Sequence, residues 1–179
     1  DRGDYDRAIP SLRLALRMRR ELHPQGHPQL AQSVGNLAWA LMQGGDLAEA
    51  EQLQREALAM KRRLYGASHP AIASTLINLA YTLELRGNYP AARSSYTEAL
   101  DMQRRLLGQD HPAVATTLES LAFVLDRQGK RKAAIDMLRK TLDMRRRTLG
   151  PAHPDVAASG SSLAYWLTDA GRYDEAQGL

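Results

Sequence analysis

The residues best suited to chemistry stand in columns. His27, His69, His111 and His153 are each followed by proline and recur every 42 residues. Histidine binds metals, but ligation needs side chains that converge on one point. One histidine per repeated unit does not converge, so these four are read as caps at helix N-termini, and no metal site is expected. Catalysis is not expected either. There is no G-x-x-x-x-G-K phosphate loop, and the serine run Ser159-Gly160-Ser161-Ser162 has no motif around it. Polar residues repeat along the chain and do not gather into one nucleophile–base–orienter group. The expectation is a protein that is not an enzyme and takes no cofactor.

Two columns could still bind something. Trp39, Tyr81, Phe123 and Tyr165 share one position of the repeat. Aromatics give large contact area at low entropy cost and anchor interfaces; the competing reading is that they pack along neighbouring helices. Arg20, Arg62, Arg104 and Arg146 share another position, near helix C-termini. Cations there complement the helix dipole, worth about 0.3–1 kcal/mol each. The competing reading is a basic ridge for an acidic or phosphate-bearing partner. Only Tyr65 interleaves with it and no nucleic-acid motif is present, so nucleic acid is not the expected partner.

These columns ride on a strong repeat. Gly3, Gly45, Gly87, Gly129 and Gly171 align, as do Ala8, Ala50, Ala92, Ala134 and Ala176, and Met18, Met60, Met102 and Met144. A period of this length marks a stacked array. Each unit reads as two helices. Proline after histidine suits a first helical turn, and Ile72, Leu76, Leu79, Ala80 and Leu83 follow at helical spacing. Gly87 closes that helix, and a second runs from about Pro90 to Leu106 with Ala92, Tyr96, Ala99, Leu100 and Met102 inward. No strand-like alternation is present, so the fold class is all-α. Units are expected at 27–66, 69–108 and 111–150, with a lone second helix at 3–24 and an incomplete unit at 153–179, all in one solenoid over 1–179. Neither end looks like a polar cap, which reads as a piece of a longer protein. Pro10 should delay or kink its helix. Gly160, where Val34, Leu76 and Leu118 stand in other units, should weaken packing.

Composition agrees. The 179 residues are 44% hydrophobic with a formal charge of +4 and no cysteine. Disulfides and thiolate metal sites are excluded, and a reducing, cytoplasmic setting is expected. No run approaches the roughly 18 apolar residues of a membrane span, and no membrane partner is expected.

The motif set Leu-Gly-x-x-His-Pro, then Asn-Leu-Ala, then Gly-x-Tyr-x-x-Ala resembles the tetratricopeptide repeats of kinesin light chains. Gly66, His69-Pro70, Asn78-Leu79-Ala80, Gly87, Tyr89 and Ala92 carry it most fully. The resemblance implies a right-handed superhelix of antiparallel helix pairs, whose first helices line a concave peptide-binding groove. That family often has two asparagines before Leu-Ala; here the pairs are Gly35-Asn36, Ile77-Asn78, Glu119-Ser120 and Ser161-Ser162. Only Asn36 and Asn78 could clamp a peptide backbone, which an amide does by donating and accepting. The acidic, tryptophan-containing cargo of kinesin light chains is therefore not carried over.

In the resembling family, the stripe opposite the core (Ser74, Ile77, Tyr81 and Glu84 in one unit) faces the groove. The candidate groove residues are Asn36, Trp39, Gln43, Asn78, Tyr81, Glu84, Phe123, Asp126, Arg127 and Tyr165, with Gln32, Met42 and Asp169 nearby. The later units look acidic, so a segment with apolar anchors and some basic residues is expected to fit. The function read from this is a protein–protein interaction scaffold. The alternative is a self-associating or intramolecular regulatory module, with homo-oligomers formed through exposed end helices.

Overall fold

A histidine–proline pair solves both problems of starting a helix. Proline brings a preset φ and no amide hydrogen to satisfy, and the histidine side chain can accept from the next free amide. The structure, a computed structural model, describes residues 2–179, with side chains from Tyr5 onward except Asp6. Among these residues it is all helix, in the order α1 (Arg2–Leu22), α2 (Pro28–Gly44), α3 (Leu47–Tyr65), α4 (Pro70–Leu85), α5 (Tyr89–Leu107), α6 (Pro112–Arg127), α7 (Arg131–Leu149), α8 (Pro154–Asp169) and α9 (Tyr173–Gln177). The helices α2, α4, α6 and α8 all begin at the proline. Histidine Nδ1 accepts from the amides of Gln29, Ala71, Ala113 and Asp155 at 3.2, 3.1, 3.1 and 3.1 Å. His69 also stacks on Tyr65, and His27 on His23, each at 4.2 Å between ring centroids.

The turns within pairs are tight for a similar reason. Gly45 takes φ 95° and gives its amide to the carbonyls of Leu41 and Met42, a left-handed closure that costs a residue with Cβ more than glycine. Asp46 then caps α3 by accepting from Glu49 N at 3.1 Å.

The chain forms two compact units, Asp1–Met102 and Gln103–Leu179. In the first, α2 packs on α1 and α3, α3 on α4, and α2 touches α4. Its core joins Leu16, Val34, Leu37, Leu41, Leu53 and Met60 around the fully buried Ala31, Ala38, Ala50 and Ala57. In the second, α7 lies between α6 and α8, and α9 closes on α8. Ile135, Leu138, Leu142, Leu163 and Leu167 surround Ala122 and Ala134. The small side chains let helix backbones approach closely, and the branched ones fill the remaining space. Both expected stripes are buried: Ile72, Leu76, Leu79, Ala80 and Leu83 on α4, and Ala92, Tyr96, Ala99, Leu100 and Met102 on α5. None of the helices is long and apolar enough to cross a membrane among the described residues.

A late helix start at Pro10 and a groove position for Met42 both fail. The α1 helix does not start late at Pro10; it begins at Arg2 and runs through the proline. Pro10 is exposed. Met42 is not a groove residue. It is 6% exposed and belongs to the first unit's core, because one step beyond Leu41 at 3.6 residues per turn stays on the inner face.

Two substitutions test these features by urea unfolding. His69→Ala removes a cap and is expected to cost about 1 kcal/mol, with His69→Asn restoring most of it. Gly160 sits inside α8 with open space where a Cβ would stand; Gly160→Ala is expected to gain about 0.5–1 kcal/mol.

Candidate functional site

The second helices carry a polar position that points into the stack. Arg19, Lys61, Gln103 and Arg145 occupy one column, and each meets a hydroxyl 14 residues later on the following first helix. Arg19 reaches Ser33, Lys61 Nζ donates to Thr75 Oγ1 at 2.7 Å, Thr117 donates to Gln103 Oε1 at 2.8 Å, and Arg145 Nη1 donates to Ser159 Oγ at 2.5 Å. The hydroxyls are all buried. Every buried polar atom needs a partner, so each pair ties one helix to the next where an apolar contact would otherwise stand.

The most elaborate tie is at Arg145, which is 8% exposed. Its guanidinium grips Glu119 of α6 with both forks, Nη1 to Oε1 at 2.7 Å and Nη2 to Oε2 at 2.8 Å, and Ser159 also donates to Glu119 at 2.8 Å. Three helices share this network. Among the described residues, Lys61 bonds only Thr75. Burial alone pushes its pKa below the ordinary lysine value.

In the first unit, an open cleft of about 380 Å³ lies among α2, α3 and α4. Three of the expected groove residues, Asn36, Trp39 and Asn78, line it, with Gln32 and Ser74 beside them. Trp39 is 43% exposed and meets Tyr5 edge-on at 5.1 Å. Gln32 Nε2 donates to Asn36 Oδ1 at 2.7 Å. Tyr81 (42% exposed) and Gln43 are on the surface but outside this cleft. Glu84 is half-buried and accepts from Tyr96 Oη at 3.3 Å. The exposed position at that level belongs to Leu85.

In the second unit, Phe123, Asp126, Arg127, Tyr165 and Asp169 do come together, around a cleft of about 230 Å³ shared with Arg131 and Trp166. Arg127 covers the Phe123 ring at 4.9 Å. The expected acidity is partly offset. Arg131 Nε donates to Asp126 at 2.7 Å and its Nη1 pairs with Asp169; the hydrogen bonds to Asp126 and then Asp169 raise the arginine's pKa further. Arg131 thus bridges both carboxylates and offsets one of their two negative charges.

The arginine column is divided. Arg20 pairs with Glu56 at 2.8 Å and Arg62 with Glu98 at 2.5 Å, each 36 residues ahead. Arg13–Glu49 and Arg139–Glu175 repeat the spacing two turns earlier. Such exposed pairs contribute roughly 0–1 kcal/mol each, but they remove free charge from the ridge. Arg104 finds Lys140 at that distance in sequence, and no ion pair among the described residues involves it. Arg146 donates to the Leu179 carbonyl at 3.4 Å.

Sequence reading missed Gln54, Lys61, Arg131, Trp166 and the Arg145–Glu119 pair. Lys61 and Arg145 did leave a signal: a long polar residue near the C-terminal end of each second helix, always 14 residues before a serine or threonine. Glu119→Ala strands Arg145 with only Ser159, Thr116 and a backbone carbonyl. Breaking so enclosed a pair is expected to cost about 2 kcal/mol, after allowance for the partial exposure of Glu119, read as a lower urea midpoint. Glu98→Ala, at an exposed pair, is expected to change it by less than about 1 kcal/mol.

Comparison with known proteins places the architecture. A family model described as tetratricopeptide repeat matches residues 1–63, 40–105 and 71–147. Among solved structures, a kinesin light chain-type protein of Podosopora anserina with nearly identical TPR-like repeats is 24% identical over 98% of this chain and 83% of its own, with a TM-score of 0.88. BtubC (BKLC) from P. vanneervenii is 23% identical over 98% of this chain and 70% of its own, at 0.84. The apo form of RapI is 14% identical over 98% of this chain and 47% of its own, at 0.77. At these identities the likeness is one of fold. No curated protein matches. With its period, capped helix pairs and matched repeats taken together, the chain belongs to the tetratricopeptide repeat family.

Proposed function

We propose that this chain is a non-catalytic scaffold that holds an extended segment of another protein against its first helices. Tetratricopeptide repeats generally bind proteins or peptides, and the observation that favours such a role here is the cleft of the first unit. On α2 and α4 the inward positions are apolar and buried, yet Asn36, Trp39 and Asn78 converge on one opening. Two amides beside a half-exposed indole suit a peptide: the amides take backbone N–H and C=O groups, and the ring takes an apolar side chain. The second unit presents the same combination in other residues. Phe123 and Tyr165 supply the apolar surface, and Arg127 supplies the donors.

Trp39→Ala, Tyr81→Ala and Phe123→Ala test this. Peptides selected from a random display library on the whole chain supply the probes, and calorimetry reads affinity. An anchor aromatic is expected to weaken binding by about thirty-fold when truncated. Unchanged affinity in all three variants, with helical circular dichroism intact, would sink the groove assignment.

A further inference from the structure

The ion pairs between second helices reveal a missing charge. Arg20 pairs with Glu56, and Arg62 with Glu98. Arg104 is the next member of that column, and the residue 36 positions ahead of it is Lys140. A cation thus stands where the two earlier pairs have a carboxylate. The Arg104 Nε is buried with no hydrogen-bond partner among the described residues, and a donor so placed lowers stability until an acceptor reaches its group. The Arg13–Glu49 pair has no counterpart there either, because Ala133 takes the place of Glu49.

Where the carboxylates are lost, the opening is larger. In the first unit the furrow between α1 and α3 measures about 350 Å³ and is lined by Arg13, Arg20 and Glu49. In the second unit the furrow between the last turn of α5 and α7 measures about 590 Å³. Arg104 and Lys140 line it, and Leu118, Met137 and Met144 give it an apolar floor. Met137 stands in the column of Leu53, which lines the first furrow; methionine adapts its shape to a partner more readily than a branched side chain. None of these residues lines either groove cleft.

The lining also restricts the occupant. It contains no asparagine, glutamine, serine or threonine, so the peptide groups of an extended segment would meet no amide or hydroxyl. A helix satisfies its own backbone. Asp136 and Asp143 also line the furrow, each four residues before a cation, Lys140 or Arg147. They repel a uniformly acidic partner. Arg147 is already paired with Asp110 at 3.3 Å, which leaves Arg104 and Lys140 as the cations to be met.

We propose that the furrow beside α7 is a second interaction surface, which docks an amphipathic helix of a partner protein. The helix sets one carboxylate between Arg104 and Lys140 and lays apolar side chains on Met137 and Met144. The carboxylate does for Arg104 what Glu56 does for Arg20 within the chain, as a charge-assisted hydrogen bond. This surface is additional to the groove and does not depend on it.

The probe is a lactam-stapled, alanine-based helix with one glutamate and a leucine one turn to either side. The six methionines of the chain are labelled at their methyl groups, and NMR follows them through a titration. The Met137 and Met144 signals are expected to shift, while those of Met18, Met42 and Met60 stay in place. Replacing the probe's glutamate by glutamine is expected to raise Kd about ten-fold. Lys140→Glu returns a carboxylate to the chain and is expected to abolish binding. Circular dichroism checks the fold of that variant, and the glutamine probe decides the matter without it. No binding, shifts centred on Met18, Met42 or Met60, or equal Kd for the two probes overturns the docking assignment. So does undiminished binding to a folded Lys140→Glu chain.

Discussion

A single helix pair of this chain cannot hide its own apolar face. Burial against the next element is the constraint on which the other features depend. Ala31, Ala38, Ala50 and Ala57 are fully buried in the first unit, and Ala122 and Ala134 in the second. Alanine at these points offers little area of its own; what it permits is close contact between backbones, so that Leu37, Leu41, Ile135 and Leu142 can interdigitate. With the helices this near one another, short polar side chains can reach across the gap. The hydroxyl column of Ser33, Thr75, Thr117 and Ser159 works only because its partners arrive within hydrogen-bond range.

The outside of the stack follows a different rule. Ion pairs such as Arg20–Glu56 and Arg62–Glu98 link successive second helices, but each is open to water and individually weak. They align neighbours more than they hold them. The inside pairs are fewer and costlier to disturb, since a buried charge without its partner has no water to fall back on. Arg145 and Lys61 show the two ways of meeting that condition: one has a carboxylate from its own chain, and the other has only a hydroxyl.

The sequence made the scaffold legible and the site only partly so. Identical residues at fixed spacing, such as the His-Pro pairs and the alanine column, reveal helix starts and core because each repeat restates the same physical need. Asn36, Trp39 and Asn78 were expected at the cleft they line because they lie on the face opposite the leucines. Gln54 was not, since its column reads Leu, Gln, Tyr, Leu and looks like core. Met42 was misplaced, because it packs into the first unit's core beside Leu41. Asp126 and Asp169 looked like free acidic groups because Arg131, which binds both, belongs to a different helix and no periodic pattern links them.

The ties within each unit, 14 residues apart on the inside and 36 on the outside, both fit within one 42-residue period. Adding or removing one residue inside a helix would put both sets out of step at once. Copying or deleting a whole period would leave both intact. The repeat is therefore a unit of heredity as much as of structure. Such a chain can grow longer or shorter by recombination without redesigning its interior, and each copied unit can then change its surface residues independently of the others.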